Sequence, residues 1–122
     1  MPHLGELERS VMNILWDAPG PHTVREVLDA LGERDLAYTT VMTVLDRLGA
    51  KQMVRRERDG RAFRYAPAIS RDAATAELLH AALDHAGTDR TAALVHFAHT
   101  VDPAEAEALR AALDEIASRT SR

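Results

Sequence analysis

The chain has 122 residues, 46% of them hydrophobic, a formal net charge of −4 and no cysteine. That length allows one domain or two very small ones; the missing cysteines exclude disulfides and thiolate metal sites, and no apolar run is long enough to span a bilayer. The opening MPHLGELERS has neither a basic n-region nor an apolar stretch, so no signal peptide is expected and the cytoplasm is the expected compartment.

In chain order, Leu4, Leu7, Val11, Ile14 and Leu15 recur at helical spacing and predict a first helix running to Trp16 and Asp17, closed by Pro19-Gly20-Pro21. Trp16 reads as the end of that helix's apolar face rather than as a platform for a ligand. Thr23-Val24-Arg25-Glu26 has the form of a capping box, and Val24, Val27, Leu28 and Leu31 stripe a second helix that stops near Gly32. In a third helix Val41, Val44, Leu45 and Leu48 fall at i, i+3, i+4 and i+7 and point inward, which leaves Thr39, Thr40, Met42, Thr43, Asp46 and Arg47 outside. Threonine is a mediocre helix former, so three of them on an exposed helix start need a reason. One reason is that a threonine offers a donor, an acceptor and a methyl to base edges, with Arg47 one turn on to reach guanine or phosphate. The plain alternative is that one threonine is the N-cap and the others are merely solvated.

Two strands, Val54 to Arg58 and Arg61 to Pro67, flank Asp59-Gly60 as a tight hairpin turn. Phe63 and Tyr65 alternate with Arg64, which puts the aromatics inward or along the sheet and Arg64 outward. From Arg47 to Arg64 seven basic residues face two acidic ones, a local net charge of +5 in an acidic chain. A basic ribbon beside a groove-reading helix can follow a phosphate backbone; alone, it is equally an edge hairpin guarded by charge.

The second half is read as three helices. Leu78, Leu79, Ala82 and Leu83 stripe one that begins near Ser70; Leu94, Phe97 and Val101 stripe a shorter one after Gly87-Thr88; Leu109, Leu113 and Ile116 stripe the last, which opens with Asp102-Pro103-Ala104-Glu105 as cap, first-turn proline and box glutamate. About 50 residues in three short helices make a poor core by themselves, which points to burial against a second copy. The acidic surplus also lies here: residues 1–70 carry ten basic and ten acidic side chains, residues 71–122 five and nine.

Helix, helix, helix and β-ribbon is the order of a winged helix-turn-helix. The predicted fold is mostly α with a small β-ribbon: a winged helix over residues 1–69 and a three-helix dimerisation domain over residues 70–122. Tyr38, Thr39, Thr40, Met42, Thr43 and Arg47 are the expected DNA-facing residues, with Lys51, Arg58, Arg61 and Arg64 on phosphates. Leu78, Leu79, Leu83, Leu94, Phe97, Leu109, Leu113 and Ile116 are the expected dimer surface. A winged helix used for protein interaction is a second reading, but it has no need of net +5 beside exposed threonines. His80, His85, His96 and His99, with Asp84 and Asp89 nearby, raise a histidine-based metal or pH sensor as a third; a metal site needs three or four converging ligands, and ordinary surface histidines are the simpler account. A small hydrolase comes last, since no nucleophile elbow, phosphate loop or His-Glu zinc motif is present. No cofactor is expected.

The chain resembles the BlaI/MecI penicillinase-repressor family. The resemblance rests on L-x-x-L-E-x-x-V-M-x-x-L-W-D at the start, T-V-R-E-V in the second helix, L-A-Y-T-T-V-M-T-V-L-x-R-L in the third, D-x-R-A-x-R-Y-A-P in the hairpin and A-A-L-V-H-F in the second half. It implies a homodimeric repressor that binds a palindromic double-stranded DNA operator with TACA/TGTA-type half-sites and silences β-lactamase or related genes. It also implies inactivation by a membrane-bound sensor metalloprotease, at a bond that corresponds here to His96-Phe97. Many family members have Asn where this chain has His96. Copper-responsive relatives carry Cys-x-Cys pairs, which this chain lacks.

Overall fold

The computed structural model describes residues 4–32 and 35–120. Its elements are α1 (Glu6–Asp17), β1 (His22–Thr23), α2 (Val24–Leu31), α3 (Tyr38–Ala50), β2 (Val54–Asp59), β3 (Ala62–Pro67), α4 (Arg71–Asp84), α5 (Arg90–Ala98) and α6 (Pro103–Thr120). The chain divides into two compact units, one up to Leu78 and one from Leu79 onward, so the division falls inside α4. Helix α4 starts where expected, with the Ser70 hydroxyl accepting from the Ala73 N–H at 3.1 Å. Its buried Ala74 belongs to the core of the first unit.

That core is apolar throughout. Val11, Met12 and Leu15 of α1, Val24 and Val27 of α2, and Val41, Val44, Leu45 and Leu48 of α3 close on Met53, Val54 and Tyr65. The third-helix stripe is therefore the inward face the spacing predicted. In α1 Met12 is fully buried whereas Ile14 is only partly so: the buried arc of α1 is centred one position away from the predicted stripe. Trp16 is half-buried at the edge, where its Nε1 donates to the Ile69 carbonyl at 2.9 Å and the Arg71 guanidinium lies 5.2 Å from its ring centre.

Local sequence explains the helix ends. Thr23 Oγ1 accepts from the Glu26 N–H at 3.1 Å while a Glu26 oxygen accepts from the Thr23 N–H at 2.9 Å, the reciprocal box the motif called for. Gly32 closes α2 in the left-handed region at φ 69°. The end of α3 is less ordinary. Met53 N–H reaches Leu48 O at 2.9 Å and Gln52 N–H reaches Gly49 O at 3.0 Å, a Schellman pair, but the left-handed residue is Gln52 at φ 63°.

The sheet has three antiparallel strands in the order β1-β3-β2. The hairpin was expected, but β1 was not: a two-residue strand shows no periodicity, and it exists because His22 and Thr23 pair with Tyr65 and Arg64 of β3. The turn is also displaced by one residue. Asp59 pairs with Ala62, so the loop is Gly60-Arg61 instead of Asp59-Gly60, with the left-handed φ of 64° on Gly60 at the first loop position. Tyr65 points inward as predicted, whereas Phe63, near the hairpin tip, is 37% exposed.

In the second unit, α6 begins with the predicted box: Asp102 accepts from the Glu105 N–H at 2.8 Å and Glu105 from the Asp102 N–H at 3.1 Å. Helix α5 ends at Ala98, which leaves Val101 beyond it and removes it from the α5 stripe. No residue of α5 or α6 is buried among the described residues.

Candidate nucleic-acid interface

Helix α3 is held from behind by its four buried residues, and its outer face is free for contact. Tyr38 is 42% and Met42 39% exposed, and Thr39, Thr40, Thr43, Asp46 and Arg47 are exposed as well. The N-cap is Ala37, which supplies no side-chain hydrogen bond. None of the threonines is therefore spent as the cap, and the plain alternative loses its main support. Thr43 Oγ1 donates to the Thr39 carbonyl at 2.9 Å, which commits the hydroxyl proton and leaves the oxygen's lone pairs to accept. The Arg25 guanidinium sits 5.4 Å from the Tyr38 ring centre and ties α2 to the first turn of α3. Sequence reasoning passed over Arg25, because a contact between two helices leaves no trace in the periodicity of either.

The basic residues of the hairpin do not form one uniform patch. Lys51, at the C-cap of α3, lies 2.8 Å from both Glu8 oxygens and is only 27% exposed. Glu8 also accepts from the Gly5 N–H at 3.0 Å, so one carboxylate caps α1 and anchors α3. Burial pushes the Glu8 carboxyl up, but the Lys51 and Gly5 hydrogen bonds and the charges of Lys51 and Arg47 outweigh it and hold the group below its ordinary value. Arg55 pairs with Glu57 at 3.2 Å and donates to the Pro67 carbonyl.

Arg64 is engaged on two sides. Its Nε donates to Asp59 at 2.7 Å and its Nη1 to Glu26 at 2.9 Å. The hydrogen bond to Asp59, with the charges of Glu26 and Asp59, raises the guanidinium above its ordinary value despite some desolvation. Glu26 is held low chiefly by the Thr23 N–H and hydroxyl, and further by the charge of Arg64.

Arg56, Arg58 and Arg61 make no ion pair among the described residues. The Arg56 guanidinium stacks 4.0 Å from the Phe63 ring centre, and Arg58 lies 5.7 Å from the same ring and donates to the Gly60 carbonyl at 3.2 Å. Arg61 occupies the turn and is exposed. The structure thus brings together Thr39, Thr40, Thr43 and Arg47 on one face and Arg56, Arg58 and Arg61 on the hairpin, while Lys51 and Arg64 are tied to acids.

The predicted contact residues of the second half are bare. Leu78, Leu79, Leu94, Phe97, Leu109, Leu113 and Ile116 are 40–63% exposed, joined by Val95 at 55%; Leu83 is half-buried. His96 and Phe97 are exposed near the end of α5. His80 Nδ1 and Asp84 do converge, but on the Arg90 guanidinium, at 2.9 and 2.7 Å. No group of three or more His, Asp or Glu able to hold a metal ion comes together among the described residues. No helix among them is long and apolar enough to cross a membrane.

A family model described as penicillinase repressor matches residues 4–115. The transcriptional regulator BlaI of two Mycobacterium tuberculosis strains is 53% identical over 119 residues, covering 95% of this chain and 86% of the relative. Among solved structures, the solution structure of the DNA-binding domain of the repressor BlaI is similar at 28% identity and TM-score 0.51, over 57% of this chain and 85% of that one.

Proposed function

The chain belongs to the penicillinase repressor family and is a transcriptional repressor of that family, not an enzyme; we propose that it works as a homodimer on a palindromic double-stranded operator with TACA/TGTA-type half-sites, controlling β-lactamase or related genes. The observation that carries the proposal is the uncapped threonine face of α3 beside a hairpin with three cations that no carboxylate among the described residues neutralises. The first offers hydrogen bonds and methyls to base edges and the second offers charge to phosphates. One copy covers one half-site. Two linked copies gain affinity because the second binding event is intramolecular.

Derepression, on this reading, is loss of the dimer. Cleavage at His96-Phe97 by a membrane-bound metalloprotease would cut α5 and separate the apolar residues of α6 from the rest of the chain. Helix α5 has nine residues and no buried one, which makes local opening for a protease inexpensive.

A gel-shift titration of the full chain tests the DNA reading, with a palindromic duplex and a scrambled one, each at two salt concentrations. Preference for the palindrome with a steep salt dependence is the expected result. Equal, weak binding to both duplexes would instead favour a protein-interaction module.

A further inference from the structure

We propose that Arg64 is a positioning residue that locks the hairpin onto the start of α2, and that the hairpin's phosphate contacts are made by Arg56, Arg58 and Arg61. The inference deepens the operator-binding reading and rests on it for its DNA readout. Arg64 lies in β3 opposite Thr23 of β1, the residue that caps α2. One guanidinium therefore joins three pieces: Glu26 in the first turn of α2, Asp59 at the end of β2, and its own strand. A single Arg side chain can do this because its N–H donors are fixed in one plane and address two carboxylates at once.

Charge decides against a phosphate role. Arg64 with Glu26 and Asp59 carries a net charge of −1, so an incoming phosphate meets an acidic site in which Nε and Nη1 are already donating. Among the described residues Arg56, Arg58 and Arg61 have no carboxylate to displace. Both Arg64 pairs are partly exposed, with Arg64 at 36%, so they contribute little to global stability. What they fix is an angle. The only strand pairing between the hairpin and the helix-turn-helix among the described residues is the two-residue β1, and the Glu26–Arg64 bond is a side-chain tie across that same joint.

The test is a double-mutant cycle on the full chain with Arg64→Gln, Glu26→Gln and both together, with Arg61→Ala as the phosphate-contact control. Glutamine at position 26 keeps the capping box. Each single variant is expected to weaken operator binding by roughly two- to tenfold, the range of one or two exposed ion pairs, with the salt slope unchanged and the double variant no worse than the Arg64 variant. Arg61→Ala should lower the slope by about one unit. A slope reduced by Arg64→Gln, together with tighter binding by Glu26→Gln, would make Arg64 a phosphate contact and overturn the proposal. Hydrogen exchange in the DNA-free protein supplies an independent readout: both single variants should speed exchange of the β1–β3 amides. Unchanged protection sinks the lock whatever the DNA result, and loss of protection in a chain that ignores the palindrome would keep the lock while removing the operator reading.

Discussion

Gln52 carries a conformational cost that its neighbours impose. The Schellman hydrogen bonds that end α3 require a left-handed residue there, and Gln52 takes φ 63° with a full side chain. The strain of an L-residue in that region is about 1–2 kcal/mol, and glycine's extra freedom in the unfolded chain returns about 0.5–1 of it. Gln52→Gly is therefore expected to stabilise the protein by roughly 0.5–1 kcal/mol, seen as a higher urea midpoint at unchanged slope; a lower midpoint would show that Gln52 makes a contact worth more than its strain. Glu8 sets a second expectation. Its carboxyl is held below the ordinary 4.5, so the unfolded chain takes up the proton first as pH falls. The stabilisation from the Glu8–Lys51 pair is present above the unfolded value and disappears as pH drops through the lowered folded one. Glu8→Gln should destabilise the protein at neutral pH and flatten the acid limb of urea midpoints measured down to about pH 3. Parallel limbs for the two proteins would remove Glu8 from the account.

The elements divide sharply in how far the sequence disclosed them. The α3 face was legible because four β-branched or leucine positions at i, i+3, i+4 and i+7 leave no other side to bury. The Thr23–Glu26 and Asp102–Glu105 boxes were legible because they are local chemistry. The strand β1 was not, since it exists only through its partner, and the hairpin turn slipped by one residue because Asp59-Gly60 and Gly60-Arg61 both place a glycine where a left-handed residue is needed. The carboxylate partners of Lys51 and Arg64 were hidden for the same physical reason: counting charge along the chain registers seven cations, but Glu8 and Glu26, which engage two of them, come from helices far back in sequence. The division of labour between helix and hairpin is tested by substitution in each. Thr40→Val should relax preference at one base position at a cost of roughly 1–3 kcal/mol, whereas Arg61→Ala should weaken all sequences alike. Identical profiles across a set of operator variants would mean that the helix does not read bases.

For the whole molecule, the contrast is between a first unit with a dense apolar interior and helices α5 and α6, in which no described residue is fully buried. Leu109 at 43%, Leu113 at 63% and Ile116 at 55% exposure lie bare along two turns of one helix, an apolar stretch that calls for a partner surface. The full chain should sediment as a dimer at micromolar concentration, and the double variant Leu113→Asp, Ile116→Asp as a monomer with its winged helix still folded. A wild-type monomer would refute the dimer.

The nine-residue α5 has one further consequence. An isolated helix shorter than about 12–15 residues is marginal in water, so on the proposed dimer α5 and the His96-Phe97 bond within it would hold their shape only while a second copy covers them. By mass action, the folded fraction of this half then depends on how much of the protein is present, and far-UV ellipticity should fall on dilution while the first unit's signal stays constant. A repressor built this way is best protected when abundant and most open to cleavage when scarce, so its removal accelerates as it proceeds.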